Sequence, residues 1–379
     1  MSKPKVIHIT SWYPNQTDPQ LGVFIEKHIV QTYTFADNIV LAIIPSLEMR
    51  EIRVTEEFKG NTKIIVGYYP ARYGKYFRNY RNYTSCLSKM LNIFLEYNTA
   101  PDLIHCHVAD KSVGIAAKVF KNTPYIATEH WSGYLNGAYE EMSTSKQKKR
   151  IYELNNAQHI HTVSPALRDK FRKLEVKTPI TLIDNVIEVT HLKAQTNKEL
   201  QFLIVADLID SVKNISGVLR AFAIQLELHP SHTLHIIGGG KDVKMLEALT
   251  KELKLDESVQ FMGRLPNSEV LDTYSQHDVL IVNSRTETYS MVTAEALSCG
   301  LPVISSRCGG PEQFVQEGIN GLLVDVDNDT QLALSMDEMS KTISKYTPEL
   351  VRASVADRFS TQQIENKHKQ VVSEVLVNK

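Results

Sequence analysis

Short apolar runs recur along the first half of the chain at Val6 to Thr10, Ile39 to Pro45, Lys63 to Val66, Leu103 to Val108, Tyr125 to Thr128 and Ile160 to Val163. Stretches with helical spacing, such as Phe24 to Tyr33 and Lys111 to Phe120, separate several of them. Runs of this kind predict strands, and their alternation with helices predicts parallel sheets covered on both faces. The pattern restarts after the polar stretch His191 to Glu199, with runs at Phe202 to Ala206, Thr233 to Ile237, Ser258 to Met262, Val279 to Asn283, Pro302 to Ser306 and Gly321 to Val324. The prediction is therefore two Rossmann-like, doubly wound α/β domains, residues 1–185 and 200–355, joined by a linker at 186–199. A C-terminal segment, 356–379, carries a helix over Thr361 to Val377 that is free to pack back on the first domain. Such sheets bind ligands beyond the carboxyl ends of their strands, so two facing sheets predict a cleft lined from both sides.

A length of 379 residues suits two domains of ordinary size. With 42 basic against 43 acidic side chains, no overall field draws the chain to nucleic acid or to an anionic membrane, and any basic patch is local. Cys86, Cys106, Cys299 and Cys308 lack the paired spacings of a zinc site or redox motif and read as reduced, buried thiols. The N-terminus passes straight into a strand-like run too short for a signal-peptide core, which predicts a cytoplasmic protein. No apolar run is long enough to span a bilayer, so any membrane contact is peripheral.

The most informative stretch begins at Val279. Val279 to Val282 reads as a buried strand, Asn283 to Ser290 as a polar loop, and Met291 to Cys299 as a helix with Ser290 as N-cap and Gly300 as its stop. The helix start presents free N–H groups and a positive dipole end, which suits phosphate. Glu287 in the loop and Glu295 one turn into the helix are placed to take hydroxyl pairs on different parts of one ligand. From spacing alone, the favoured reading of two glutamates near a helix start is that they are acids stabilising that end.

The content and order of this region resemble the family-4 glycosyltransferases, a retaining family of the GT-B fold. The glutamate, seven-residue gap, glutamate signature falls on Glu287 and Glu295, and Ala294 to Ala296, Cys299 to Val303, Gly309 to Glu312 and Asn320 to Val324 are similar to the remainder of the family's signature. Upstream, Ile236 to Gly240, Phe261 to Gly263 and Lys213 resemble the family's donor-domain turns and diphosphate lysine. In the first half, Pro101 to His107, Thr128 to His130 and Asp184 to Val186 match more loosely. The resemblance implies a transferase for a hexose-type sugar carried by a nucleoside diphosphate, needing no metal and no further cofactor. It implies catalytic roles for His130, Glu287 and Lys213, with Glu287 near the donor hexose and Glu295 near the ribose. Gly22, Gly263, Arg264, Ser290 and Asn185 join Glu295 as donor-binding residues, the base resting on backbone near Gly263 and Arg264. The acceptor, a glycan or a lipid-linked sugar, is expected over the first domain near Gly22 and His130, in surface polysaccharide or glycoconjugate synthesis.

Three departures matter. Where relatives carry Gly-Arg-Leu ahead of the lysine, this chain has Ala206-Asp207-Leu208, and an acid facing a diphosphate repels it. Either Asp207 points away, or another cation such as Arg285 or Arg307 compensates, or donor binding is weak, and Asp207→Arg is expected to leave activity intact or raise it. The acceptor-side glycine loop is reduced to Leu21-Gly22-Val23, and Thr288-Tyr289-Ser290 replaces a glycine-aromatic-glycine turn.

His105 and His107 alternate on one strand and so share a face, but two histidines without an evident third ligand favour a structural role. His130 ends a strand, where a polar side chain enters the cleft or donates to a backbone carbonyl. Asp325-Val326-Asp327 reads as a solvated loop rather than a metal-binding Asp-x-Asp. Tyr68 to Tyr83 interleaves Arg72, Lys75, Arg78 and Arg81 with tyrosines and Phe77, which suits an anionic membrane surface, contact with a glycan, or an ordinary helix with a basic face. A dehydrogenase would want a G-x-G-x-x-G turn after its first strand, which Gly238-Gly239-Gly240 does not supply. A nucleotide-sugar epimerase of the same fold and a non-enzymatic two-lobed sugar-binding protein are the alternatives.

Overall fold

The computed structural model describes residues 3–60, 62–97, 100–108, 113–114, 119–187 and 199–377. The chain divides into two compact units, Met1–Val186 with Thr361–Lys379, and Ile187–Ser360.

The first unit is built on an eight-stranded sheet: β1 (Lys5–Thr10), β2 (Asp37–Ser46), β3 (Arg53–Lys59), β4 (Thr62–Pro70), β5 (Leu103–His107), β6 (Tyr125–Glu129), β7 (His159–Thr162) and β8 (Ile180–Leu182), in the order β3-β4-β2-β1-β5-β6-β7-β8. All neighbours are parallel except β3 and β4. The sheet is therefore not wholly parallel, as its hydrophobic runs suggested. β3 escaped that reading because Arg53-Val-Thr-Glu-Glu-Phe-Lys59 is a half-exposed edge strand whose charges keep other chains from pairing with it. The stretch Tyr68 to Tyr83 is not one helix: β4 ends at Pro70, a turn follows, and the helix runs over Tyr76–Tyr97. The helix expected at Lys111 to Phe120 and the linker at 186–199 lie mostly outside the described residues.

The centre of this sheet is apolar at one end and polar at the other. Val6, Leu103 and Ile126, from β1, β5 and β6, pack with Val371, Val372 and Val375 of the helix Thr361–Val377. Two residues further along, the same face carries His8 and His105, paired in register across β1 and β5. His368 stands on the same helix, one turn nearer its start than Val372.

The second unit carries β9 (Gln201–Val205), β10 (Thr233–Ile237), β11 (Val259–Gly263), β12 (Val279–Val282), β13 (Val303–Ser306) and β14 (Gly321–Val324) in the order β11-β10-β9-β12-β13-β14, all parallel. Apart from the edge strand β11, these strands are short, apolar and largely buried, as both-face coverage by helices requires. From β9 the chain proceeds to β10 on one side, and from β12 to β13 on the other, so the strand order reverses between β9 and β12. A ligand crevice opens beyond the carboxyl ends of strands at such a reversal.

Candidate active site

Two loops meet beyond the reversal in the second unit. After β9 the chain makes the short helix Asp210–Lys213, turns left-handed at Asn214, and continues as the helix Ile215–Leu228. After β12 the loop beginning at Asn283 runs against that turn. Arg285 N–H donates to Val212 O at 2.7 Å, its guanidinium reaches Asp210 O at 2.6 Å and Asn214 Oδ1 at 3.0 Å, and its Nε pairs with Asp327 at 2.8 Å. Arg285 is thus a staple between the loops, and the Asp-x-Asp carboxylates at Asp325 and Asp327 pair with Arg307 and Arg285 respectively.

The staple brings Lys213 and Glu287 together. Lys213 Nζ donates to Glu287 Oε1, which also accepts from Ser284 Oγ at 2.9 Å. Both side chains are mostly covered, so the pair is less screened than one on open surface. Glycines shape this loop from below. A Cβ on Gly310 would lie 2.9 Å from Glu287 Cβ and from the Tyr289 backbone, and Gly309 adopts φ +104° beside the Glu287 carbonyl.

Ser290 occupies the N-cap position of the helix Met291–Ser298 in a left-handed conformation, φ 66°. Its hydroxyl bonds Thr293 Oγ1 at 2.8 Å instead of capping a backbone N–H, which corrects the capping role expected from sequence. Glu295 is buried one turn further in and accepts from the Tyr274 hydroxyl at 3.1 Å. Burial and this carboxylate hold the Tyr274 phenol well above its usual pKa, so it stays a donor. The two glutamates therefore have different partners, Lys213 and Ser284 for one, Tyr274 for the other. Tyr274 carries no local signal in sequence, being 21 residues from Glu295; Ser284, three residues before Glu287, does.

On the opposite flank, Gly263 ends β11 with φ 72° and open space where a Cβ would stand. Arg264 is the next residue, and its Nη2 donates to Asp207 Oδ1 at 2.6 Å and to Gly239 O at 3.0 Å. The cation beside Asp207 is therefore Arg264; Arg285 is held as above and Arg307 pairs with Glu317, so neither plays the compensating part expected from sequence.

The remaining expected residues belong to the first unit. Gly22 begins the helix Val23–Val30 at φ 67°, and a Cβ there would lie 2.4 Å from Trp12 O, so only glycine fits. His130 is buried against Phe24, with ring centroids 4.8 Å apart, and its Nε2 has no hydrogen-bond partner among the described residues. Asn185 is buried, and its Oδ1 sits 2.9 Å from His28 Nε2.

That last bond belongs to a layer of imidazoles that the sequence hid. Asn38 Oδ1 only accepts, so His8 Nε2 carries the proton at 2.9 Å, and His8 Nδ1 accepts from His107 Nε2 at 3.1 Å. The same logic runs from Asn185 through His28 to His368 Nε2, again at 3.1 Å. Thr128 Oγ1 bridges His105 Nε2 and His161 Nδ1. Burial holds every one of these imidazoles below its ordinary pKa, His8 and His28 at about 4, and their mutual repulsion adds to the effect for His105, His107, His130, His161 and His368. His8 is the third imidazole that sequence did not reveal beside His105 and His107; their ring nitrogens lie within 4.8 Å of one another, the set among the described residues that could hold a metal ion. Closing on a cation would break the His8 to His107 bond, so the layer reads as a polar core.

Two family models match successive stretches of the chain, Glycosyltransferase Family 4 over residues 48–191 and Glycosyl transferases group 1 over residues 187–346. The chain is 30% identical to D-inositol 3-phosphate glycosyltransferase of Corynebacterium jeikeium over 41% of its own length and 39% of that protein's. It spans about two-fifths of the length of that curated relative and 54% of another. Among solved structures it is similar to sucrose-phosphate synthase from Thermosynechococcus elongatus, with a TM-score of 0.76 at 17% identity over 99% of this chain and 100% of that one. HepE from Anabaena in complex with UDP gives 0.74 at 17% identity over 98% and 100%. At these identities the structural likeness speaks for the fold alone, which is GT-B. By the two matched stretches, which together run from residue 48 to residue 346, the chain belongs to the family-4 glycosyltransferases.

Proposed function

We propose that this protein moves a hexose-type sugar from a nucleoside diphosphate to a glycan or lipid-linked acceptor with retention of configuration, without a metal ion, in surface polysaccharide or glycoconjugate synthesis. The observation that carries the reading is the meeting of Lys213 and Glu287 where the strand order reverses between β9 and β12. An ammonium already fixed at that point meets the charge that develops on a departing diphosphate without reorganising, the task a metal would otherwise perform. Glu287 Oε1 already gathers an ammonium and a hydroxyl, so sugar hydroxyls are natural partners, while buried Glu295 suits a ribose diol. In this reading Ser290 and the adjoining helix start face the phosphates, the backbone of Gly263 and Arg264 flanks the base, and His130 with Gly22 serves the acceptor. HepE and the pneumococcal O-GlcNAc transferase GtfA were solved with UDP, which makes uridine nucleotides the first donors to try.

We infer also that the protein works at the inner face of a membrane. No helix among the described residues is long and apolar enough to cross a bilayer. From Lys59 to Leu95 the sequence has no acidic residue, and Tyr73 and Phe77 are 88% and 87% exposed among Arg72, Lys75, Arg78 and Arg81. Liposome flotation of the wild type against a variant with those four residues neutralised tests this part; equal association with anionic vesicles ends it.

For the reaction, NMR of the product of a nucleotide sugar and an acceptor should show the donor's anomeric configuration. An inverted linkage overturns retention, and a nucleotide sugar that merely changes configuration points to the epimerase.

A further inference from the structure

An acid at Asp207 is an unexpected guest at a phosphate site. It lies just beyond β9, at the carboxyl end of the sheet where Lys213 also stands. An isolated carboxylate there would push away a diphosphate. The structure does not leave it isolated. Arg264, from the carboxyl end of β11, crosses β10 to reach it, and one nitrogen, Nη2, donates to both Asp207 Oδ1 and Gly239 O. Gly239 eases the crossing: a Cβ there would lie 3.1 Å from Arg264 Cγ and Nε and crowd the arginine's stem. Its neighbours are more tightly constrained, since a Cβ on Gly238 would lie 1.8 Å from Ala206 O and one on Gly240 2.4 Å from Leu208 O. Three glycines thus press the turn after β10 against Ala206-Asp207-Leu208 and leave a track for one guanidinium.

A guanidinium has five N–H groups. Two on Nη2 are engaged, and those on Nε and Nη1 have no partner among the described residues while the side chain is mostly exposed. Asp207 cancels its own repulsion and fixes the fork at one angle, and the remaining donors stay open. Lys213 on the other flank is held by Glu287 in the same way. Lys213 and Arg264 are therefore each oriented by one carboxylate.

We propose that Arg264 is a second diphosphate-binding residue, donating through Nε or Nη1 to a phosphate oxygen of the donor alongside Lys213, and that Asp207 is its positioning residue. The proposal rests on the second unit being a nucleotide-sugar site. It reverses the sign expected from sequence for Asp207→Arg, which sets two guanidinium groups against each other and weakens donor binding.

Calorimetric titration of the full chain with UDP, GDP and ADP, each beside its nucleoside, tests this. For whichever diphosphate binds the wild type, Arg264→Ala should weaken affinity about ten- to a hundredfold, the range for a hydrogen bond to a charged group. Affinity for the matching nucleoside should not move, and neither should the thermal unfolding midpoint. Asp207→Asn should weaken the diphosphate less than Arg264→Ala, and once Arg264 is gone the same change should no longer weaken binding but recover part of the loss, because Asp207 helps only through Arg264 and repels when left alone. Arg264→Lys, which keeps the charge but not the fork, should recover only part of the loss. Equal diphosphate affinity in wild type and Arg264→Ala overturns the proposal, as does a loss that falls equally on the nucleoside, or an Asp207→Asn protein that binds more tightly. If the wild type binds no nucleoside diphosphate at all, the reading of the site fails first and takes the proposal with it.

Discussion

The histidine layer predicts a specific loss of stability in acid. His8 and His28 are fully buried and neutral, with pKa held down from 6.5 to about 4 by burial. In the unfolded chain each binds a proton below about pH 6.5, whereas in the folded unit neither does until about pH 4. Their contribution to stability is thus complete at neutral pH and is lost as pH falls through the window from 6.5 to 4. At about 1.4 kcal/mol for each unit of pKa difference, pH 5 removes about 2 kcal/mol for each histidine. Two histidines together remove about 4 kcal/mol, a large part of the stability of an ordinary domain. Both tryptophans, Trp12 and Trp131, lie in the first unit, so their fluorescence reports that unit selectively. Urea unfolding followed by tryptophan emission at pH 7.5 and pH 5 should show the loss, and His28→Gln should lose about 2 kcal/mol less over the same interval, whatever its starting stability. A wild-type curve unchanged between the two pH values refutes the reasoning, and so does a variant that loses as much as the wild type.

Three further outcomes are expected. Lys213→Ala should cut kcat, measured at saturating donor, by about a hundred- to a thousandfold on top of its loss of donor affinity, since the ammonium meets charge that develops in the transition state. Gly310→Ala should abolish transfer and lower the unfolding temperature, because its Cβ would sit 2.9 Å from Glu287 Cβ and shift the loop that carries it. Gly22→Ala should cost about 2 kcal/mol or more in urea unfolding, since it combines a left-handed backbone with a contact of 2.4 Å to Trp12 O.

Much of the fold was legible because the second unit's strands, the edge strand β11 apart, are short, apolar and covered on both faces, which makes each an apolar run bounded by turns. Thr233–Ile237 and Gly321–Val324 emerge at the positions read from sequence. β3 was not legible, since an exposed edge strand has no apolar run to betray it, and β8, at three residues, is too short for any period to show. The positions of Lys213 and Glu287 could be read singly, yet their contact spans 74 residues and depends on Arg285 stapling two loops. The same holds for Asp207 and Arg264, 57 residues apart, where sequence named a repulsion and the wrong compensating arginines. His105 and His107 announced themselves by alternation, but His8, His28 and His368 come from separate elements, and only the register of β1 on β5 and two packed helices unite them.

The central claim is that the second unit holds a nucleotide sugar through Lys213, Glu287 and Glu295. Thermal unfolding of the wild type, Lys213→Ala and Glu295→Gln in the presence of a panel of nucleotide sugars tests it most directly. At least one nucleoside diphosphate sugar should raise the wild-type midpoint, and both variants should lose most of that rise. A panel in which no member moves the wild type, or in which both variants respond as fully as it does, contradicts the account.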